Sequence, residues 1–292
     1  MRAYIEMQHP MNRRTFLQAG AAYAAACVFP TRAHPSAARW PFFAFDNGVG
    51  RGKWTPEKQA ATLKALGYDG ICYNYTNNND LEAWVRIYRE AGLKIFGLYI
   101  HTFPDNAAEP WSPALREAVA LLSGSETTLW ITLRQTKVKG DFDAACVRIS
   151  RELGDLAQAA GIRVSIYPHA GFYVASASDA LRIAKLAAHP AVSPSYNLCH
   201  EFMSGNGANA METLRAVAPS AGLVSLNGVD PASKKYILLL GQGGFDTAAW
   251  LAELMRLGYK GPVGHQFYNI PGDSETNLKE AIAAWRLQQP IP

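Results

Sequence analysis

Cysteine is scarce in this chain. Four occur in 292 residues, at positions 27, 72, 146 and 199, with no close spacing. That excludes a disulfide-knit scaffold and a zinc knuckle. A charge excess is also missing: 28 Lys and Arg stand against 24 Asp and Glu, a formal balance of +4. The basic residues are scattered, which leaves neither a stripe for nucleic acid nor a polybasic arm for a membrane surface. The tract "GQGGFD" at 241–246 lacks the GxGxxG spacing that cradles a dinucleotide phosphate. What is there is 49% apolar and 18% charged, a composition and length suited to one barrel-sized core.

The first informative stretch is "MNRRTFLQAGAAYAAACVFPTRAHPSA", beginning at Met11. Twin arginines, an Ala-rich apolar run and small residues around Ala33 follow in the order of a secretory signal. Arg13 and Arg14 before Phe16-Leu17 resemble a twin-arginine export signal, which implies a periplasmic protein that folds before export. The apolar run from Leu17 to Pro30 is shorter than the roughly 20 residues of a membrane span, so no stable span is expected. Cleavage at Cys27 with lipid attachment is a weaker alternative, because Ala24 stands where a larger aliphatic residue is usual. Met11 is an alternative start. Residues 1–38 are therefore read as signal peptide and leader, and 39–292 as one domain.

From residue 39 onward, β-rich runs alternate with amphipathic stretches. The strand candidates are 41–48, 67–75, 94–101, 128–135, 163–171, 192–202, 223–230 and 262–270. Between them lie helical patterns such as "TPEKQAATLKALG" and "FDTAAWLAELMRLG", which close on a capping glycine. "SDALRIAKLAAHP" opens on a Ser-Asp cap and stops at a proline. Eight such units predict an α/β fold, a single closed (β/α)8 barrel with parallel strands.

That fold carries its active site at the C-terminal strand ends. Those ends read Asp46 and Asn47, Asn74 and Tyr75, Tyr99 and His101, Arg134, Tyr167 and His169, Asn197 and His200, Asn227 and Asp230, and Gln266 with Tyr268 and Asn269. A lone histidine there is often only packed and hydrogen-bonded, but a full polar and imidazole rim exceeds what a structural barrel needs. The seven tryptophans are assigned to core packing, and His34 and His189 are set aside. His265 and Gln266 should face opposite sides of the last strand.

These residues resemble the xylose-isomerase-like superfamily of TIM barrels, which includes sugar phosphate isomerases and epimerases. The resemblance covers residues 40 to 288 and is strongest in "GIRVSIYPHAGFYVASASDALRIAKLAAHPAVSPSYNLCHEFMSGNG" and "GQGGFDTAAWLAELMRLGYKGPVGHQFY". In that family a carboxylate and a histidine end the fifth strand, and Asp-x-x-His ends the sixth. A histidine ends the seventh strand and a glutamate the eighth, around a divalent metal. Here Tyr167 stands in place of the fifth-strand glutamate, Asn197 in place of the aspartate before His200, Asn227 at the seventh strand and Gln266 at the eighth. Amides keep shape and hydrogen bonding while removing anionic charge, and hard cations want anionic oxygen.

The resemblance implies a small-molecule carbohydrate substrate. The expectation is proton transfer on a sugar or keto-sugar by an isomerase, epimerase or lyase. His169 and His200 would serve as base and acid, and Tyr167 would donate to a substrate oxygen. Asn197, Asn227, Gln266, Asn74 and His101 would bind substrate, and Arg134 would meet a carboxylate or phosphate. No cofactor is expected; the variant is a weakly held divalent metal, Zn²⁺ or Mn²⁺, on His169 and His200 with amide oxygens or Asp230. A competing class is a non-catalytic sugar-binding protein on the same barrel. Nothing in the sequence selects an oligomeric state.

Overall fold

The computed structural model describes residues 40–76, 80–135 and 139–289, so the leader and its export signal lie outside the described residues. Eight strands close in the order β1-β10-β7-β6-β5-β4-β3-β2, and every pairing around the ring is parallel. They are β1 (Phe42–Phe45), β2 (Gly70–Asn74), β3 (Lys94–Thr102), β4 (Thr128–Leu133), β5 (Arg163–Ile166), β6 (Val192–Asn197), β7 (Leu223–Leu226) and β10 (Val263–His265). The single (β/α)8 barrel expected from the sequence is the fold observed. Between β7 and β10 a short antiparallel hairpin, β8 (Gly228–Asp230) and β9 (Lys235–Leu238), rises above the ring.

The sequence made several strands too long. The fifth ends at Ile166, and residues beyond it form a loop. The sixth ends at Asn197 and turns at once into a one-and-a-half-turn helix, Leu198–Met203. Helix signals were more exact. Thr55 caps Pro56–Leu66, with Pro56 in the first turn and Gly67 at φ 86 closing the end. The helix Ala177–Ala187 starts at Ser176, two residues before the expected cap, because Ser176 and Asp179 form a capping box.

Two apolar cores result from the alternation along each strand. Outside the ring, side chains such as Phe42, Ile71 and Val263 pack under the helices with Trp250 and Trp285. Inside it, Phe43, Phe96, Trp130 and Leu223 fill the lower lumen, with Phe45, Cys72 and Tyr167 above them. Gly264 is needed beside this plug, since a Cβ there would lie 2.4 Å from the Phe43 ring. The aromatic plug is the floor beneath the strand ends. Cys72, Cys146 and Cys199 are buried and free. Among the described residues, no helix is long and apolar enough to cross a membrane.

Candidate active site

A cavity of about 500 Å³ opens on that floor, lined among others by Asp46, Asn47, Asn74, Tyr99, His101, Arg134, Tyr167, His169, Phe172, His200 and Gln266. Seven of the nine expected site residues therefore meet in one place. Asn197 and Asn227 do not reach it, and both are fully buried.

Tyr167 is the centre of the arrangement. It is the first residue past β5, and its ring is packed edge-on against Trp130 at 4.8 Å, Tyr99 at 5.0 Å and His200 at 5.6 Å. Its hydroxyl accepts from the Asn197 amide nitrogen and, at 3.4 Å, from Gln266 Nε2. Burial pushes the phenol far above its ordinary range, so it stays a neutral O–H whose own proton is a donor. Asn197 thus holds Tyr167 instead of lining the cavity, and its carbonyl accepts from Cys199 Sγ at 3.0 Å.

Gln266 is fixed just as firmly. Its Oε1 accepts Asn47 Nδ2 at 2.6 Å and the backbone N–H groups of Phe267 and Tyr268 at 3.0 and 3.1 Å. Two backbone donors settle which end of the amide is oxygen. The N–H end is the one turned to Tyr167 and the cavity. His265 faces the other way, as expected: it is fully buried and accepts the Leu240 N–H at 3.0 Å.

His169 and His200 lie 4.1 Å apart between ring centroids, and Phe172 stacks on His169 at 4.0 Å. His169 Nδ1 faces the Ala170 carbonyl at 2.9 Å, so that nitrogen carries the proton. The Ala170 N–H donates to His200 Nδ1 at 3.2 Å, so that nitrogen is bare. The neutral rings consequently present opposite faces of the chemistry: a lone pair at His169 Nε2 and an N–H at His200 Nε2. Both are held neutral. Burial lowers His200 well below the usual imidazole range, and burial with the nearby Arg134 charge lowers His169.

On the remaining wall, His101 Nδ1 bonds Thr132 Oγ1 at 2.8 Å. Arg134 lies over Phe172 at 5.2 Å as the one cation among the residues lining the cavity. Asn74 closes the β2 side, exposed. Asn227 follows β7 and donates to Gly228 O and Tyr236 O, both at 2.6 Å, so it clasps the hairpin. Asp230 accepts from Ala232 N and Ser233 Oγ in the hairpin turn and is likewise not among the lining residues. Asp46, Tyr99 and Phe172 are lining residues that had been given no role. Asp46 had a signal, a carboxylate directly after the first strand; Phe172, six residues past β5 in a loop, had none.

The model of the xylose isomerase-like TIM barrel family matches residues 60–288. The chain belongs to that family. No curated protein matches it in sequence. Among solved structures, L-ribulose 3-epimerase superposes with a TM-score of 0.70 at 17% identity, covering 86% of this chain and 94% of that one. The 3-keto-D-glucoside 4-epimerase from E. coli gives 0.69 at 14%, covering 85% and 100%. The IOLI protein with a bound zinc atom gives 0.67 at 16%, covering 85% and 97%. Against a xylose isomerase-like barrel fused to a 4-hydroxyphenylpyruvate dioxygenase, the chain spans only 42% of the other's length, at a TM-score of 0.69 and 18% identity over 85% of its own. At such identities the likeness is one of fold.

A divalent metal has precedent in this fold, in the zinc of the IOLI protein. Among the described residues, no three His, Cys, Asp or Glu side chains stand together as a metal cluster. Gln266 Oε1 already accepts three N–H groups, and the atom facing the cavity is a donor. The Tyr167 hydroxyl sits between the amides of Asn197 and Gln266. Hard cations favour anionic oxygen, and these groups do not offer it.

Proposed function

We propose that this family member is an exported, carbohydrate-active enzyme that moves a proton on a keto-sugar by side-chain acid–base chemistry, without a resident divalent cation. The observation that carries the reading is the pair of opposite imidazole tautomers beside a buried phenol. The bare Nε2 of His169 removes a proton from the carbon next to a carbonyl. The electron pair moves into the new C=C bond and the carbonyl pair onto oxygen. The O–H of Tyr167 and the Nε2–H of His200 then stabilise that enediolate oxygen as donors already in place. Preorganised donors on a water-poor floor are worth far more than the same groups in water.

The amide set supports the metal-free part of the reading, because Gln266 and Asn197 orient Tyr167 where the family's carboxylates would ligate. A sugar as the substrate class is favoured by the epimerases that share this fold. Export rests on the twin arginines of the leader, and a periplasmic setting suits an unphosphorylated sugar.

The test is deuterium incorporation. Chelator-dialysed protein is incubated in D₂O with methyl 3-keto-D-glucoside, L-ribulose or D-fructose, and carbon-bound deuterium is read by NMR. Incorporation into at least one probe, changed less than about twofold by added Mn²⁺ or Zn²⁺ and lost in His169→Ala, supports the proposal; about twofold is the smallest change that separates cleanly from the 10²-fold effects of acid–base groups. Incorporation that requires the added metal overturns the metal-free part. Thermal stabilisation by a probe with no incorporation overturns the enzyme reading in favour of a binding protein.

A further inference from the structure

One carboxylate in the cavity has no part in the chemistry above. Asp46 is the first residue past β1, and among the residues lining the cavity it is the only acid. Its Oδ2 accepts the Asn74 N–H at 2.7 Å. Among the described residues no Lys or Arg forms an ion pair with it. The titratable groups beside it are Cys72 and Tyr99, with Tyr88 further back, and none is a cation. Other buried acids are committed to structure: Glu201 accepts from Ala177 N at 2.5 Å and from Asn206 Nδ2 at 2.6 Å.

Its place in the ring matters most. In the order β1-β10-β7-β6-β5-β4-β3-β2, β1 and β5 are four strands apart whichever way the ring is counted. Asp46 follows β1, and His169 follows β5. The two groups are therefore carried by diametrically opposed strands and line one cavity, with His200 on the β6 side and the Tyr167 hydroxyl held between Asn197 of β6 and Gln266 past β10. Asp46 also borders a second, more open cavity of about 330 Å³ with Gly52, Tyr268 and Asn269, which gives its carboxyl a path to solvent.

We propose that Asp46 is a second proton-transfer residue of this site, acting on the face of the substrate carbon opposite to His169, so that the reaction is an epimerisation. This rests on the proton-transfer reading above and specifies its outcome. His169 takes the proton from one face and the enediolate forms. Protonated Asp46 then delivers its proton to the other face as the C=C pair forms the new C–H bond and the carbonyl is restored. The carbon is inverted, His169 ends protonated and Asp46 ends as carboxylate. Exchange with solvent resets both, and the reverse reaction uses them in exchanged roles. Burial raises the Asp46 carboxyl to about 6, which keeps a protonated fraction available in weakly acidic to neutral solution.

The experiment uses the full chain in D₂O with methyl 3-keto-D-glucoside, L-ribulose and D-fructose, comparing wild type with Asp46→Asn. Asparagine keeps an acceptor for the Asn74 N–H, and a thermal melt confirms folding. Wild type is expected to form an epimer that carries solvent deuterium at the inverted carbon from the first turnover. D46N is expected to lose epimer formation by about 10²-fold or more, while deuterium still washes into unchanged substrate through His169. D46N that epimerises within about threefold of wild type, far inside the range for loss of an acid–base group, overturns the proposal. So does a wild type that makes only an aldose–ketose isomer, which leaves the parent reading standing. Wild type with no incorporation on any probe overturns both. Should D46N not fold, the wild-type result decides alone: an epimer that retains the substrate's own hydrogen rules out a second group.

Discussion

His169 and His200 are tied to opposite ends of the same residue, one to the carbonyl and the other to the N–H of Ala170. A single backbone position therefore fixes the protonation pattern of both rings, and exchanging their roles would break both bonds. This predicts unequal phenotypes. His169→Ala removes the base and should lower turnover by 10²- to 10⁴-fold, about the usual worth of a general base. His200→Ala should cost less in turnover, because Tyr167 still donates to the same oxygen. The His169 pKa is lowered, so the acid limb of the rate profile should lie below the ordinary imidazole range near 6.5. Steady-state kinetics of both variants between pH 4 and 8 check it; equal losses in the two would show that the tautomer pattern does not set the roles.

Tyr167 offers a second prediction. Its hydroxyl accepts from Asn197 and Gln266, so Tyr167→Phe removes a donor to substrate and strands two amide N–H groups. Stranding buried donors costs about 1–3 kcal/mol each. The variant should therefore melt at lower temperature and turn over more slowly. Removing one of the stranded donors by adding Asn197→Leu to Tyr167→Phe should recover part of the stability and none of the rate. A double-mutant comparison of melts against deuterium exchange separates the two effects.

Much of the site was legible from strand ends alone, because in a closed parallel barrel the strand's last residues are forced to one rim. Tyr167, His169, His200 and Gln266 all came from that rule. It failed where the chain departs from one strand, one turn, one helix. After β6 the backbone turns directly into a helix, so His200 reaches the cavity while Asn197, the last strand residue, is buried behind the Tyr167 hydroxyl that it holds. After β7 a hairpin intervenes, and Asn227 becomes its clasp. Nothing in "LVSLNGVDPASKKYILLL" announced an antiparallel pair, since its short runs read equally well as strand end and loop. Asp46 was visible but unassigned, because its importance comes from standing across the ring from His169, which needs the closed topology.

Asn227 can be checked directly. Asn227→Ala removes the donor to Gly228 O and Tyr236 O and leaves two carbonyls short of a partner. A loss of about 1–3 kcal/mol in stability is expected, with KM changed only through loosening of Ile237, the hairpin residue that lines the cavity. Urea titration and kinetics on one preparation decide it. A stability unchanged from wild type, with KM raised tenfold or more (about 1.4 kcal/mol), would return Asn227 to substrate binding.

The pH dependence of stability should show two opposed contributions. His265 is fully buried, and burial lowers its pKa to about 3; His200 is lowered too. Unfolding frees such rings to bind protons near pH 6.5, so the unfolded state takes up more protons than the native one below that pH. The stability they supply is complete above about 6.5 and is lost as pH falls toward their folded values. Asp46 has the opposite sign. Its raised pKa, about 6 against 3.8 unfolded, means that the native state holds the extra proton between those values, so its contribution declines as pH rises through that window. Each fully uncompensated proton changes stability by about 1.4 kcal/mol per pH unit. With four lowered histidines, His101, His169, His200 and His265, against two raised carboxyls, Asp46 and Glu201, acidification from pH 6 to 4 should destabilise the protein on balance. Asp46→Asn should steepen that loss, and His265→Asn, which keeps an acceptor for Leu240 N, should flatten it. Denaturant titrations of the three proteins at pH 4, 5, 6 and 7 measure the slopes; identical slopes in wild type and H265N would mean that His265 is protonated or solvated in the native fold.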